Sequence, residues 1–138
     1  MNVRIAIPVI WTLTGALLFK LLGAWDQLPD RVAVHFGAAM QPNGWSSRSA
    51  LAAIVLCAVV GQASLATWLI LRVGNTAGMI APVLVVINAV LVSAFWQTIK
   101  FNADGTPFQP LWLFVPMIVL FGSLTVFMVK LMLNYYRR

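Results

Sequence analysis

Four long apolar segments, separated by shorter polar stretches, dominate the pattern of this chain. They cover about residues 5–25, 49–71, 78–99 and 110–133. A helix of about 20 residues, rising about 1.5 Å per residue, crosses the hydrocarbon core of a bilayer, which is about 30 Å thick. Because a backbone exposed to lipid must satisfy its own hydrogen bonds, we expect each segment to be a helix. The pattern predicts an all-α fold, an integral membrane four-helix transmembrane bundle, as a single domain over residues 1–138.

The polar stretches between the segments differ in length. Residues 72–77 (RVGNTA) predict a tight turn, and residues 101–109 (FNADGTPFQ) predict a short loop with an Asp-Gly turn. Residues 26–48 form much the longest connection, and it lies between the first two segments. Its length sets it apart from the other two as a part of the chain with its own structure.

Local patterns within residues 26–48 indicate that this loop is folded. Apolar and polar residues alternate in RVAVHF, residues 31–36, which is typical of a short extended segment. Pro42-Asn43-Gly44 predicts a turn, and the serines of SSRS at residues 46–49 can cap the second helix. We therefore expect the loop to pack over one end of the bundle.

Composition supports the membrane interpretation. Hydrophobic residues make up 62% of the chain and charged residues only 9%, against about 25% charged in soluble domains. The net charge is +6, but most basic residues stand singly, which argues against a nucleic-acid surface. The single cysteine, Cys57, excludes an internal disulfide and a metal site built from several cysteines.

The first segment is expected to stay in the protein as a membrane span. Its apolar run is too long for a signal peptide, Lys20 interrupts its end, and no Ala-x-Ala cleavage site follows. The distribution of basic residues favours cytoplasmic termini, five against four, so that the long loop faces outward. The cytoplasmic set would be Arg4, Arg72, Lys130, Arg137 and Arg138, and the outer set Lys20, Arg31, Arg48 and Lys100.

Each apolar segment also carries a residue near its middle that can form hydrogen bonds. These residues are expected to point into the bundle and pair there: Thr12, Thr14, Gln62, Asn88, Ser123 and Thr125. Gln62 and Asn88 lie at similar depth on consecutive segments, which predicts a direct contact. The set serves either as contacts between helices or as the polar path of a small transporter. We favour the contacts, because no carboxylate or histidine lies in the middle of a span.

Small residues recur at helical spacing on two segments. Ala53, Cys57 and Gly61 share one face of the second segment. A corresponding stripe on the third segment consists of Ala81, Ala89, Ser93 and Gln97. Such faces permit close approach of another helix.

The loop sequences LPDRVAVHF and QPNGWSSR resemble the signature loop of the SdpI-type bacterial membrane proteins, which contain a membrane domain of unknown function. The matching positions are Leu28, Pro29, Asp30, Val34, His35, Phe36, Pro42, Gly44, Trp45, Ser47 and Arg48. Ala33 stands where the family usually has proline, Met40 where it has glycine, Gln41 where glutamate is common and Asn43 where aspartate is common. The last two changes remove negative charge, which counts against cation binding. The resemblance covers the first segment, the loop and the start of the second segment.

This resemblance implies a location in the bacterial inner (plasma) membrane. The named member of the family confers immunity to a secreted toxin and signals through a sequestered repressor. We therefore expect a non-enzymatic recognition or regulatory protein, acting in toxin immunity or envelope sensing, with a peptide or membrane-protein partner. The alternative is an accessory structural subunit, or an oligomer, within a larger membrane complex. Six tryptophans and eight phenylalanines would provide surface for such packing.

The loop is the main candidate site, with two interpretations. It is either a recognition surface or a structural cap in which Asp30 pairs with Arg31 or Arg48 and His35 bonds to the backbone. The candidate residues are Asp30, Arg31, His35, Phe36, Pro42, Gly44, Trp45 and Arg48. We expect no cofactor and no metal, since one histidine cannot supply a bis-histidine pair for haem and a His35–Met40 copper site would use a methionine that departs from the family pattern. We expect no catalytic residue, because Cys57 lies in mid-span, far from His35.

Overall fold

The computed structural model describes residues 3–73, 77–109 and 111–136. This part of the chain is mostly helical, with one β-hairpin between the first two long helical stretches. The helices are α1 (Val3–Ala24), α2 (Arg48–Val55), α3 (Gly61–Arg72), α4 (Ala77–Asp104) and α5 (Leu111–Tyr136). A π-helical turn, Leu56–Val60, joins α2 to α3 without a break, and a short 3₁₀ turn, Trp25–Gln27, follows α1.

Three helical stretches within the described ranges are long and apolar enough to cross a membrane. They are Arg4–Gln27, Arg48–Arg72 and Ala77–Asp104. Helix α5 occupies the fourth predicted segment, and the apolar stretch found within it is Met117–Lys130. The helical nature of all four predicted segments is thus confirmed, and the structure identifies three of them as long enough in their apolar part to span a bilayer.

Some sequence predictions fall outside the described residues. One of them is the tight turn predicted at residues 72–77, of which residues 74–76 are not described. Helix α3 ends at Arg72, where this turn begins, and α4 begins at Ala77, where it ends. Arg137, Arg138 and the side chain of Ser123 also lie outside the described residues.

Helix α4 continues further than predicted. It ends at Asp104 rather than near residue 99, so the loop predicted from residue 101 begins only at Gly105. Gly105 has a φ of 71°, and its N–H donates to the Phe101 carbonyl at 3.0 Å, which closes the helix in the manner of a C-terminal glycine cap. The side chain of Asp104 then accepts from the Thr106 N–H at 2.9 Å. The polar residues Asn102 and Asp104 predict the end of the helix, but they lie in its last turn, where Asn102 bonds to Ala33 of the hairpin.

Helix α4 is the central element of the bundle. It packs against α1, α3 and α5, and most extensively against α1. One buried apolar cluster lies toward the hairpin and includes Leu17, Leu51 and Ile99, while a second, rich in alanine, lies toward the other end and includes Ala6, Ala63 and Ala81. Alanines in the second cluster let the helix backbones come close, as small residues do in helix pairs.

A polar contact joins three helices between these two clusters. Asn88, which is fully buried on α4, donates from Nδ2 to Gln62 Oε1 at 2.8 Å and to Thr14 Oγ1 at 3.2 Å. Gln62 also donates from Nε2 to the Leu84 carbonyl at 3.4 Å. The contact expected between Gln62 and Asn88 is therefore present, and Thr14 on α1 completes it. In this arrangement the three side chains connect helices.

One predicted helix-packing face is different in the structure. Ala53, Cys57 and Gly61 are exposed, and the chain between them includes the π-helical turn. A π turn contains more residues per turn than an α-helix, which breaks the regular four-residue spacing on which the prediction depended. This stripe therefore does not pack against another helix within the described chain.

The loop after α1 folds as an antiparallel hairpin of β1 (Arg31–Phe36) and β2 (Pro42–Ser47), so the all-α prediction was incomplete. The predicted extended segment, residues 31–36, is confirmed as β1. The predicted turn at Pro42-Asn43-Gly44 is wrong, because these residues belong to β2. The chain reverses instead at Gly37–Gln41, where the Met40 N–H donates to the Gly37 carbonyl at 2.9 Å and the Gly37 N–H donates to the Gln41 carbonyl at 2.9 Å.

Met40 ends this turn with a φ of 55°, the only positive φ among the described residues other than glycine. A left-handed conformation costs an L-residue about 1 kcal/mol, because Cβ approaches the carbonyl oxygen. We predict that Met40→Gly raises the free energy of unfolding by up to about 1 kcal/mol, partly offset by the greater freedom of glycine in the unfolded chain. Thermal unfolding in detergent would measure the gain. Ala39→Gly is the control: it lacks a positive φ and should give no stabilisation, so an equal gain in both variants would contradict the prediction.

Candidate functional site

The Asn102 side chain attaches the hairpin to α4 by hydrogen bonds. The Ala33 N–H donates to Asn102 Oδ1 at 2.7 Å, and Asn102 Nδ2 donates to the Ala33 carbonyl at 2.9 Å. Asn102 Nδ2 also donates to the Thr98 carbonyl at 2.8 Å, one helical turn back on α4. The carboxamide thus pairs with Ala33 as a neighbouring strand would, and it fixes the position of β1 relative to the helix.

Aromatic packing secures the other end of β1. The ring of Phe36 lies 5.2 Å from that of Phe101 in a perpendicular arrangement and 4.8 Å from that of Phe108 in a tilted one. Phe101 belongs to α4 and Phe108 to the connection between α4 and α5. Such aromatic pairs contribute about 1 kcal/mol each beyond their buried area. Phe36, a predicted recognition residue, therefore has a clear anchoring role.

His35 and Asn43 form a pair of exposed side chains across the two strands. His35 Nδ1 and Asn43 Oδ1 are hydrogen-bonded, so the nitrogen donates to the amide oxygen. The alternative in which His35 bonds to the backbone is therefore incorrect: its partner is a side chain. Gly44 stands opposite His35, and a Cβ at that position would lie 2.8 Å from the His35 Cβ, closer than real Cβ atoms approach. Glycine at residue 44 permits the close approach of the two strands at His35.

The charged residues of the loop lie at the junction of the hairpin with α2. Arg48 Nε lies 3.8 Å from Asp30 Oδ1, and the Arg48 N–H donates to the Asp30 carbonyl at 3.2 Å. Of the two pairings left open for Asp30, the structure shows the one with Arg48. The Arg48 guanidinium also lies 5.4 Å from the centre of the Trp25 ring. Because the Asp30 side chain is almost fully exposed, its ion pair adds little stability.

The remaining predicted residues sit at the edges of the hairpin. Arg31 is exposed and faces Ser47 in the strand register, while Trp45 is exposed and faces Ala33. Pro42 begins β2 opposite Phe36. The structure thus places all the predicted loop residues on one compact hairpin or at its junctions with the adjacent helices.

A cavity of about 390 Å³ lies between the hairpin and α4. Its walls include His35, Phe36 and Met40 from the hairpin, and Phe95, Thr98 and Phe108 from α4 and its connection. A cavity of this size, largely apolar but with a few polar groups, is typical of sites for small ligands or single side chains. His35 is both exposed and part of the wall of this cavity.

Sequence reasoning missed the residues that hold the hairpin in place. The sequence predicts a connecting loop over Phe101, Asn102 and Phe108, because polar residues after an apolar segment usually mark its end, and only Phe108 lies in that connection. An asparagine at the end of a long apolar helix was the available signal. Its partner Ala33 lies 69 residues earlier in the chain, and no local pattern connects the two.

Residues 7–60 match a protein family described as a domain of unknown function (DUF1648). The matched region contains nearly all of α1, the whole hairpin, α2 and the π-helical turn, so it includes the loop residues discussed above. No curated protein and no solved structure matches the chain. Within the described residues, no group of three or more histidine, cysteine, aspartate or glutamate side chains could hold a metal ion.

The Asn102 contact predicts a specific loss on substitution. Asn102→Leu leaves the N–H and the carbonyl of Ala33 without their partners, which costs about 2 kcal/mol. We expect the Ala33 amide to exchange with deuterium much faster, as measured by hydrogen–deuterium exchange, and the protein to melt at a lower temperature. Ser64→Leu, which introduces the same side chain at an exposed site on α3, should do neither. Unchanged exchange in Asn102→Leu would show that the hairpin does not depend on this contact.

Proposed function

We propose that this chain is a bacterial inner-membrane protein with four transmembrane helices, in which the hairpin is a recognition element on the outer face. The proposal has two parts, the placement of the helices in a bilayer and the role of the hairpin. Each has its own support and its own test.

The outer surface of the helices supports placement in a bilayer. Large apolar side chains point away from the bundle along its length, among them Phe19 at 79% exposure, Leu22 at 74% and Ile118 at 69%. Water-soluble monomers rarely expose continuous apolar surface on this scale, whereas lipid is a suitable solvent for it. Inside the bundle, Asn88 Nδ2 donates to Gln62 and Thr14 on two other helices, as polar side chains between lipid-embedded helices do.

Pairs of basic and aromatic side chains lie near both ends of the helices. Lys20 Nζ lies 5.9 Å from the centre of the Trp96 ring on the hairpin side, and the Arg72 guanidinium lies 5.8 Å from that of Trp68 at the opposite end. Such residues are enriched where a membrane meets water. Between Arg48 and Arg72 the helical stretch is about 36 Å long at 1.5 Å per residue, which fits a hydrocarbon core with its interfaces.

Cysteine labelling tests this topology. Because Cys57 is the only cysteine, Cys57→Ser gives a background for single cysteines at Ala39, Pro107 and Arg72. We expect a membrane-impermeant maleimide to label Ala39→Cys in the hairpin and Pro107→Cys in the α4–α5 connection on intact cells. Arg72→Cys, at the other end of α3, should be labelled only after the membrane is permeabilised. Labelling of Ala39→Cys and Pro107→Cys from opposite sides would refute a four-span arrangement, and recovery of the protein outside the membrane fraction would refute insertion.

The observation that supports the recognition role is the exposed His35–Asn43 pair, held at the rim of the cavity on a hairpin that Asn102 fixes to α4. A structural cap requires the internal anchors, Phe36 and Ala33, but it does not require a polar pair directed outward. A rigid, exposed donor–acceptor pair beside an apolar cavity suits a peptide, whose side chain could enter the cavity while its backbone bonds to the rim.

The SdpI-type resemblance specifies the class of this proposed function. In this proposal the hairpin binds a secreted peptide toxin or an envelope-stress ligand, and the protein protects the cell or signals the event. Asn43, in place of the aspartate common in the family, keeps an oxygen acceptor for His35 but removes a negative charge. The site therefore suits a ligand that does not depend on a carboxylate at this position.

A survival assay tests the immunity function. The strain that encodes the chain would be compared with a deletion strain after exposure to its own stationary-phase culture supernatant. We expect the wild-type gene to restore survival and His35→Ala to lose about tenfold of the protection, the effect of one lost polar contact on affinity. Gln41→Ala, exposed on the same hairpin, should protect fully. Equal survival of the deletion and wild-type strains would refute the immunity role, and full protection by His35→Ala would refute the role of His35.

A further inference from the structure

A second and larger cavity, of about 470 Å³, lies away from the hairpin. It is bounded by α1, α4 and the connection between α4 and α5. None of its wall residues is shared with the cavity beside His35. A ligand of this cavity would therefore not contact the walls of the cavity beside His35.

The walls of this cavity change from apolar to polar along α4. Leu13, Ala89 and Val92 lie toward the middle of the bundle, whereas Gln97 and Lys100 lie toward the hairpin end. From Ala89 to Lys100 the helix rises by about 16 Å. An apolar end at mid-bundle and a polar, basic end near the surface is the arrangement of one leaflet of a bilayer, with acyl chains inside and headgroups outside.

The polar end of the cavity carries positive charge. Lys100 lines it and forms no ion pair with any described residue, and Lys20 lies over the ring of Trp96, another wall residue. Asp104 is an exposed carboxylate whose charge interacts with both lysines, and its Oδ1 accepts from the Thr106 N–H. Two lysines against one engaged carboxylate leave a net positive charge that favours an anion.

Gln97 adds a hydrogen-bond donor to the polar end. Its side chain is 91% buried, and its Oε1 accepts from the Gln109 N–H at 2.7 Å. Its Nε2 is buried and has no hydrogen-bond partner among the described residues. Buried donors are almost always satisfied in proteins, so an unsatisfied one in the wall of a cavity indicates an acceptor that a ligand would supply.

We propose that this cavity binds one anionic phospholipid, with its phosphate at Lys100 and Gln97 Nε2 and an acyl chain against Leu13, Ala89 and Val92. The inference depends on the proposed placement of the helices in a bilayer. Lys100 supplies the charge preference, Gln97 a directional bond to a phosphate oxygen, and the apolar end the preference for a lipid over a soluble phosphate. Bound lipid would also fill space beside α4, the helix to which the hairpin is attached.

Native mass spectrometry of the full-length, delipidated protein in mild detergent tests this proposal. Phosphatidylglycerol and phosphatidylcholine with the same acyl chains would be titrated separately. We expect phosphatidylglycerol to bind more tightly and at one copy per chain, and Lys100→Gln to weaken its binding about fivefold, as for the loss of one lysine contact with an anionic lipid. Lys130→Gln removes the same charge from an exposed site on α5 and should leave the affinity unchanged. Equal binding of both lipids, or equal effects of the two lysine variants, would overturn the proposal.

A second pair of variants tests the apolar end. Ala89→Leu fills the acyl-chain region and should reduce phosphatidylglycerol binding, whereas Ala53→Leu at an exposed site on α2 should not. Glycerol 3-phosphate in excess should fail to displace the lipid. Displacement would show that the site takes a soluble phosphate, and unchanged binding by Ala89→Leu would show that the acyl chain lies elsewhere. If the labelling experiment shows insertion but the protein has no preference between the two lipids, the phospholipid site is refuted. The proposed placement of the helices in a bilayer is not affected by that result.

Discussion

The carboxamide of Asn102 determines where the hairpin lies. A two-stranded hairpin is marginally stable by itself in water, and the pairing of Ala33 with a side chain on α4 gives β1 a second neighbour besides β2. The Phe36 ring then packs against Phe101 and Phe108, which extends the attachment to the connection before α5. With both ends of β1 fixed, the exposed His35–Asn43 pair has a defined position at the rim of a cavity.

Three polar side chains of helix α4 form hydrogen bonds, each to a different neighbouring element. Asn88 bonds to α1 and α3, Gln97 bonds to the connection after α4, and Asn102 bonds to the hairpin. In an apolar surrounding such bonds fix the register between elements, because apolar packing alone tolerates sliding. The polar residues of α4 thus specify an assembly whose stability comes mainly from apolar contacts.

Three residues of the loop, Met40, Asn43 and Gly44, have roles that follow from the local geometry of the hairpin. Met40 takes the left-handed conformation that glycine adopts easily, so the turn forms at a cost. Asn43 accepts a hydrogen bond from His35 through its amide oxygen. Glycine at position 44 has a steric reason in the close approach of His35. These residues shape the hairpin, and the hairpin leaves the His35 and Asn43 side chains exposed.

The amino-acid sequence alone predicts the helical segments, the extended conformation of residues 31–36 and the contact between Gln62 and Asn88, because hydrophobic periodicity and depth along a helix are local or one-dimensional properties. It could not place the hairpin turn: Pro42-Asn43-Gly44 has the composition of a turn, yet strand pairing put the reversal at Gly37–Gln41. It also ended α4 too early, since the contacts of Asn102 come from residues far away in the chain. These features depend on the packed fold, because a polar side chain takes the position in which its hydrogen-bonding groups are satisfied, and its partner comes within reach only after the helices have packed.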